Sequence, residues 1–550
     1  MATRGLYTDH ETFDRIKSQA RTTIETAFYG NNVIPVSDLK QAYELARRSP
    51  GTVELTGMPL YKPEEQGLPV NGNVLLMNDG AVVGRCAAAR RILGEPGVTM
   101  AAYAPIIREA IYGTRFRTMY AAEALIGLSE DFMVKAHLLI PEKHENMLYN
   151  WMLNFQTLTR EYEAMYGRSK ELPDGDIYMV ADPEWASPDF PLGLAFFDPE
   201  HNCAGVFGMR YFGELKKGTL TMAWGTAARN GFASCHGGLK RYNLRNGKSF
   251  VMTVFGLSGS GKSTLTHARH GGKYDITVLH DDAVVINLQE KYAIALEPSY
   301  FDKVQDYPMG CDANRFIISL QNCGAVRAVD GKVYPVTEDL RNGNGRAIKS
   351  KLWSPNRVDR IDQPLDAIFW IMKDPTLPPV LHLKTPDLGA VFGATLATKR
   401  TTAERLAPGV DPNALVIECY ANPFRTYPLE VDYTRFRGLI EGGVACYVLN
   451  TGDFMGKKVT PADTLGIIES IVEGRASFVP FGGASDVETM KLEKFPIDFS
   501  DEEYRKEVAA RLNDRMKFVR SRETERGGID RLPPEAEAAL QKVIDEVAAG

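Results

Sequence analysis

The sequence predicts an α/β protein of mixed α+β type, two-lobed, with one lobe built around a phosphate-binding P-loop. Three observations lead there. Short apolar runs of strand length alternate with amphipathic helical stretches along the whole chain. Gly256-Leu-Ser-Gly-Ser-Gly-Lys262-Ser263 fits the pattern G-x-x-x-x-G-K-[ST] and sits between an apolar run and a helix start. At 550 residues the chain is too long for one simple core. We expect an N-terminal domain over 1–240 and a C-terminal nucleotide-binding domain over 241–550, with a charged helical tail from about 500.

Taken in order, residues from about 10 to 50 pattern as helix, with Ser37 as N-cap to Asp38–Arg47 and Pro50-Gly51 as the stop. From about 52 to 100, apolar runs broken by Gly and Pro predict strands and loops. Residues 105–170 return to helical patterning, including Asn146–Phe155. Asp176–Ala181 and Asn202–Gly208 then predict strands. Phe250–Phe255 is a strand into the glycine loop, Ser263–Arg269 a helix behind it, and Ile276–Leu279 a strand ending at Asp281-Asp282. Ala367–Met372 and Val444–Leu449 are further strands. Thr460 as N-cap, Pro461 in the first turn and Asp463 facing the dipole open a helix that stops at Gly474. Ser500 with Glu503 three residues on predicts a capping box before a solvated C-terminal helix.

Composition excludes several classes. A net charge of −6 offers no overall basic field for nucleic acid or an anionic membrane. No segment approaches the roughly 18 apolar residues of a membrane span, and the N-terminal residues have no signal-peptide core. The seven cysteines form no C-x-x-C pair, which predicts reduced thiols in a soluble, cytoplasmic protein.

The chemistry concentrates at the glycine loop. Backbone N–H groups of Gly256, Leu257, Ser258, Gly259, Ser260 and Gly261 can turn inward on a triphosphate, with Lys262 on the outer phosphates, Ser263 on Mg²⁺, and Thr264 in the opening turn. A carboxylate at a strand end, as in Asp281-Asp282, is where a second metal-binding element belongs. Upstream lie Tyr211-Phe-Gly-Glu-Leu-Lys216-Lys217-Gly218 and Ala233-Ser-Cys-His236.

In order and spacing these segments resemble the ATP-dependent phosphoenolpyruvate carboxykinases, whose Gly-Glu-Met-Lys-Lys-Gly, Ala-Ser-Met-His, Gly-Leu-Ser-Gly-Thr-Gly-Lys-Thr and Asp-Asp elements follow one another in this way. Asn314–Asn322 and Asn450–Thr460 are similar to two later elements of that family. The resemblance implies an organic-acid lobe, a nucleotide lobe, and conversion of oxaloacetate and ATP to phosphoenolpyruvate, CO₂ and ADP, a step of gluconeogenesis. It further implies Mn²⁺ on Lys217, His236 and Asp282, Mg²⁺ on Ser263, and catalysis by Lys217, Lys262 and Arg346. Lys458 and Thr464 are implied at the nucleoside, and Arg85, Tyr211 and Lys217 at the acid. Lys217 could ligate only as a neutral amine.

The sequence also departs from that pattern. The family's Gly-Arg-Ser-Pro-Lys-Asp-Lys is represented by Gly84-Arg85-Cys-Ala-Ala-Ala-Arg90, Asp-Asp-Glu-His-Gly-Trp by Asp281–Ile286, and Glu-Asn-Thr-Arg by Asn342-Gly-Asn-Gly-Arg346. Two other readings therefore stay open: a kinase of the same fold acting on another small acid or a protein hydroxyl, and a catalytically silent nucleotide-binding regulator.

Overall fold

The computed structural model describes Thr3 and residues 17–78, 84–257, 259–340, 344–399, 409 and 415–549. The chain divides into two compact units that interleave in sequence: Met1–Thr226, Ala295–Pro355 and Thr402–Val410 form the first, and Ala227–Ile294, Asn356–Thr401 and Asp411–Gly550 the second.

The first unit holds a seven-stranded sheet in the order Val33–Val36, Met119–Ser129, Phe132–Pro141, Ile177–Asp182, Cys203–Phe207, Leu194–Asp198, Arg90–Ile92. The helices Gln19–Thr26 and Met100–Thr114 cover part of it through Ile24, Ile107 and Ile111, which pack with Val180 and Phe196. Two expectations fail here. The 105–170 region is not continuously helical, because Met119–Ser129 and Phe132–Pro141 pair antiparallel. Both strands are buried along most of their length, so their apolar runs carry no period of two, and long-range pairing decides the outcome. Within 10–50, Val33–Val36 pairs parallel with Met119–Ala122, and Asp38 rather than Ser37 caps the next helix by accepting the Gln41 N–H.

A second sheet in this unit runs Tyr300–Lys303, Arg346–Lys349, Ile317–Gln321, Asn73–Met77, Thr52–Pro59. The helix Glu145–Asn154 is buried at every position, its polar Glu145, Asn146, Asn150 and Asn154 included. Its one buried acid, Glu145, accepts from the Ser49 hydroxyl at 2.8 Å and the Lys143 N–H at 3.1 Å.

The second unit is organised by three neighbouring parallel strands, Ser249–Phe255, Ala367–Met372 and Ala445–Asn450. Antiparallel strands extend the sheet on both sides; Phe232–Asn243 pairs with Ser249–Phe255 and also with Asp275–His280 and Ala283–Asn287. Fully buried parallel strands need apolar residues on both faces, and Ala367–Met372 is buried throughout. The helix Pro461–Val472 opens with the capping box Thr460–Asp463, as expected, and Gly474 beyond it has φ +66°.

The C-terminal helices Glu502–Ser521 and Pro534–Ala549 are not a solvated tail. The first buries Tyr504, Val508, Leu512, Arg515 and Met516, and the second Leu540, Val543 and Val547. Its charges lie on the outer face and had masked the stripe beneath. The N-cap is Asp501, which accepts from the Glu503 and Tyr504 N–H groups, rather than Ser500.

Candidate active site

The phosphate-binding loop leaves the strand Ser249–Phe255 at the carboxyl end of the parallel group, where open α/β sheets bind ligands. Glycine is obligatory at two points. A Cβ on Gly256 would lie 2.2 Å from the Ser260 Oγ, and Gly261 has φ +103°. Loops from the two neighbouring parallel strands brace the turn: the Lys373 Nζ donates to the Gly259 carbonyl at 2.9 Å, and the Thr451 hydroxyl to the Ser260 carbonyl at 2.8 Å. Leu257 and Ser260 are buried, whereas Ser263 and Thr264 stand exposed in the first turn of the helix Lys262–His267. Ser258 lies outside the described residues.

His236 reaches this loop through strand register. Gly237 pairs with Phe255, the last strand residue before the loop, and His236 pairs with Ala283, immediately after Asp282. The His236 Nε2 and the Asp282 Oδ1 lie 3.0 Å apart, and the Lys262 Nζ is 3.3 Å from each. The His236 Nδ1 bonds to the Ala421 carbonyl. A carbonyl only accepts, so Nδ1 carries a proton, and in the neutral ring Nε2 presents the lone pair that a metal ligand needs. The neutral ring and the carboxylate can share a cation, here the Lys262 ammonium, whereas the protonated ring donates its Nε2–H to Asp282. The same pair of donors, nitrogen and oxygen, fits a divalent ion of the Mn²⁺ or Mg²⁺ kind. Among the described residues no group of three or more His, Cys, Asp or Glu side chains could hold a metal.

Adjacent Asp281 serves a different purpose. Burial works to raise its carboxyl, but His267 and His280 outweigh that and hold it well below its ordinary value; the His267 Nε2 is 3.3 Å away. Behind the loop, the Lys240 ammonium donates to the Leu265 carbonyl at 2.6 Å near the end of the helix Lys262–His267, and burial pushes its pKa down to about 7.

The remaining expected residues are distributed as follows. In the first unit, Tyr211 to Gly218 open the buried helix Phe212–Arg229 rather than a surface turn. Glu214 is fully buried and paired with Arg90 at 2.8 Å; Lys216 is fully buried and paired with Glu297 at 3.0 Å. Lys217 is partly exposed, its ammonium 5.7 Å from the Trp224 ring centre. Tyr211 is buried, Arg85 is 7% exposed, and Arg346 is 6% exposed with its guanidinium over the Phe301 ring. In the second unit, Lys458 is exposed on a two-residue strand, and Thr464 is buried with its hydroxyl on the Thr460 carbonyl.

Sequence reasoning missed three contributors. Arg90 and Glu297 are distant partners of the Glu-Leu-Lys element and carry no local signal. Ala421, which orients His236, does so through its backbone, in a turn where Tyr420 and Ala421 both have positive φ, +54° and +53°. Two successive non-glycine residues in that region store strain of the kind found at functional sites.

Comparison with known proteins gives the family. The family model described as phosphoenolpyruvate carboxykinase, of the ATP type, matches residues 64–489. A phosphoenolpyruvate carboxykinase (ATP) of Aeropyrum pernix is 26% identical over 347 residues, covering 58% of this chain and 67% of the relative. With its family match extending over well more than half its length, the chain belongs to the ATP-dependent phosphoenolpyruvate carboxykinases, a family of carboxy-lyase enzymes.

Proposed function

We propose that this chain converts oxaloacetate and ATP to phosphoenolpyruvate, CO₂ and ADP with the aid of a divalent cation, in the direction of gluconeogenesis. The observation that carries the reading is the convergence of the His236 Nε2, the Asp282 carboxylate and the Lys262 ammonium beside the phosphate-binding loop. A simple nucleotide binder has no use for two metal-type donors held in this way.

The organic acid is assigned to residues 1–240 through Arg85, Tyr211 and Lys217, and the nucleotide to residues 241–550 through Gly256 to Thr264, with Lys458 and Thr464 at the nucleoside. His236 and Asp282, with Lys217 as a neutral amine, would hold Mn²⁺, and Ser263 would contact Mg²⁺. Bound there, such an ion supplies electrostatic stabilisation of the enolate oxygen that decarboxylation leaves behind. In that step the carbon–carbon bond to the departing carboxylate breaks, its electron pair enters the enolate, and the enolate oxygen attacks the γ-phosphorus as ADP leaves. Lys262 and Arg346 would balance charge on the transferring group, since phosphoryl transfer depends on positioning and neutralisation more than on covalent chemistry. The Ala421 carbonyl keeps the His236 lone pair directed at the cation.

The absence of disulfides among the seven cysteines fits a reducing cytoplasm, and among the described residues no helix is long and apolar enough to cross a membrane. The test is a coupled assay that follows phosphoenolpyruvate from oxaloacetate with Mn²⁺ and either ATP or GTP. Formation with ATP supports the reading; ADP released with neither phosphoenolpyruvate nor CO₂ would transfer it to a kinase on another acceptor.

A further inference from the structure

A cavity of about 380 Å³ opens within the first unit, where the start of the helix Glu145–Asn154 meets the end of the strand Ile317–Gln321. That volume is in the range of small-molecule sites. Its wall is mixed, with Met77 and Met147 beside two buried polar residues, Gln321 at 3% exposure and His144 at 8%. Among the described residues neither the Gln321 Nε2 nor the His144 Nε2 has a hydrogen-bond partner. Buried donors are costly to leave unmade, and such groups call for an explanation. The carboxylate closest to hand does not provide one, because the Glu184 Oε1 stops 3.6 Å from the His144 Nε2.

The mouth has a different character. Lys143 and Arg210 line it, both exposed, against Glu184 as the one acid among the described lining residues. Lys143 is held in a turn with φ +74°, its N–H bonded to Glu145 Oε1, so the place from which its ammonium reaches out is fixed. The cavity therefore offers two sets of groups for an anion: neutral donors at depth and a net positive rim.

We propose that this cavity binds a small dicarboxylate, one carboxylate on the Gln321 amide and His144, the other between Lys143 and Arg210. A four-carbon diacid matches both sets. The acid of the reaction itself is assigned above to Arg85, Tyr211 and Lys217, so the ligand of this cavity is a separate dicarboxylate that acts on the enzyme. Gln321 lies in register opposite Arg346, so occupancy is felt one residue from a proposed catalytic arginine. The proposal stands on the first unit alone and needs neither nucleotide nor metal.

Calorimetric titration of the full chain with succinate, with no nucleotide or metal added, tests it. Wild-type protein is expected to bind, and Gln321→Met, which keeps the side-chain size and removes the donors, to bind at least tenfold more weakly while still binding ATP. Should Gln321→Met fail to fold, Lys143→Met, at an exposed site, is expected to weaken succinate several-fold. Simultaneous binding of succinate and oxaloacetate is the expected result for two separate acid sites; one-for-one competition between them would overturn a separate site. The proposal is overturned if wild-type protein gives no binding heat at about 10 mM succinate, if these variants bind as wild type does, or if inorganic phosphate binds there and succinate does not.

Discussion

Lys262 is the residue whose neighbours say most about the site. Its ammonium is shared between an imidazole and a carboxylate and is largely buried, so it balances charge before any ligand arrives. Lys262→Ala removes that balance together with the phosphate contact proposed for it. We expect loss of phosphoenolpyruvate formation by 10³-fold or more, on the order of 4 kcal/mol of transition-state stabilisation, read by the coupled assay. The motif made this residue legible at once, and its spacing to Asp282 was legible too. What the sequence could not show is which of the paired lysines in Glu-Leu-Lys216-Lys217 is structural. The answer depends on Glu297, 81 positions after Lys216, whose carboxylate neutralises the fully buried Lys216. A local string contains no trace of that partner. The same holds for the orientation of His236, which depends on a backbone carbonyl in a strained turn.

At the scale of elements, the phosphate loop, its strand and its helix were readable because each has a local cause: an apolar run, glycines, and a helix start. The helix Pro461–Val472 was readable for the same reason. Thr460→Ala removes the side-chain oxygen that caps the Asp463 N–H, and is expected to destabilise the protein by about 1 kcal/mol in a denaturant titration. Strands in the 119–141 region were not readable, since their pairing partners and not their patterns decide them. The helix behind the phosphate loop also carries a pH dependence. Burial lowers the Lys240 ammonium to about 7 in the folded chain, whereas an unfolded lysine keeps its proton to about 10.4. Between those values the unfolded state binds more protons, so stability rises with pH across that window at up to ~1.4 kcal/mol per pH unit. Below about pH 7 the cost of burying the charge is fully present. Thermal melts from pH 6 to 10 are expected to show this rise in wild-type protein and a flatter profile in Lys240→Met; equal slopes would contradict it.

At the scale of the molecule, the chain builds its two units from interleaved segments, with Ala295–Pro355 returning to the first. A boundary read along the sequence registers a change of pattern but not a return of the chain to an earlier sheet, because Ile317–Gln321 pairs with Asn73–Met77 across a separation of more than 200 residues. The C-terminal helix has a role that its charged sequence hid. Arg515 is buried against Asp374 at 3.4 Å, directly beside Lys373, which braces the phosphate loop. Arg515→Ala leaves Asp374 buried without its cation. We expect a loss of about 3–5 kcal/mol in urea unfolding, together with weaker ATP binding; unchanged ATP affinity would separate the helix from the loop.

The account depends most on a cation site built from His236 and Asp282. Titration of the protein with Mn²⁺, followed by its electron paramagnetic resonance signal, measures that site with no acid substrate present. Wild-type protein is predicted to take up one Mn²⁺ at this site, and His236→Ala and Asp282→Asn each to bind it at least tenfold more weakly while ATP still binds. Mn²⁺ uptake of equal strength in all three proteins would contradict the account.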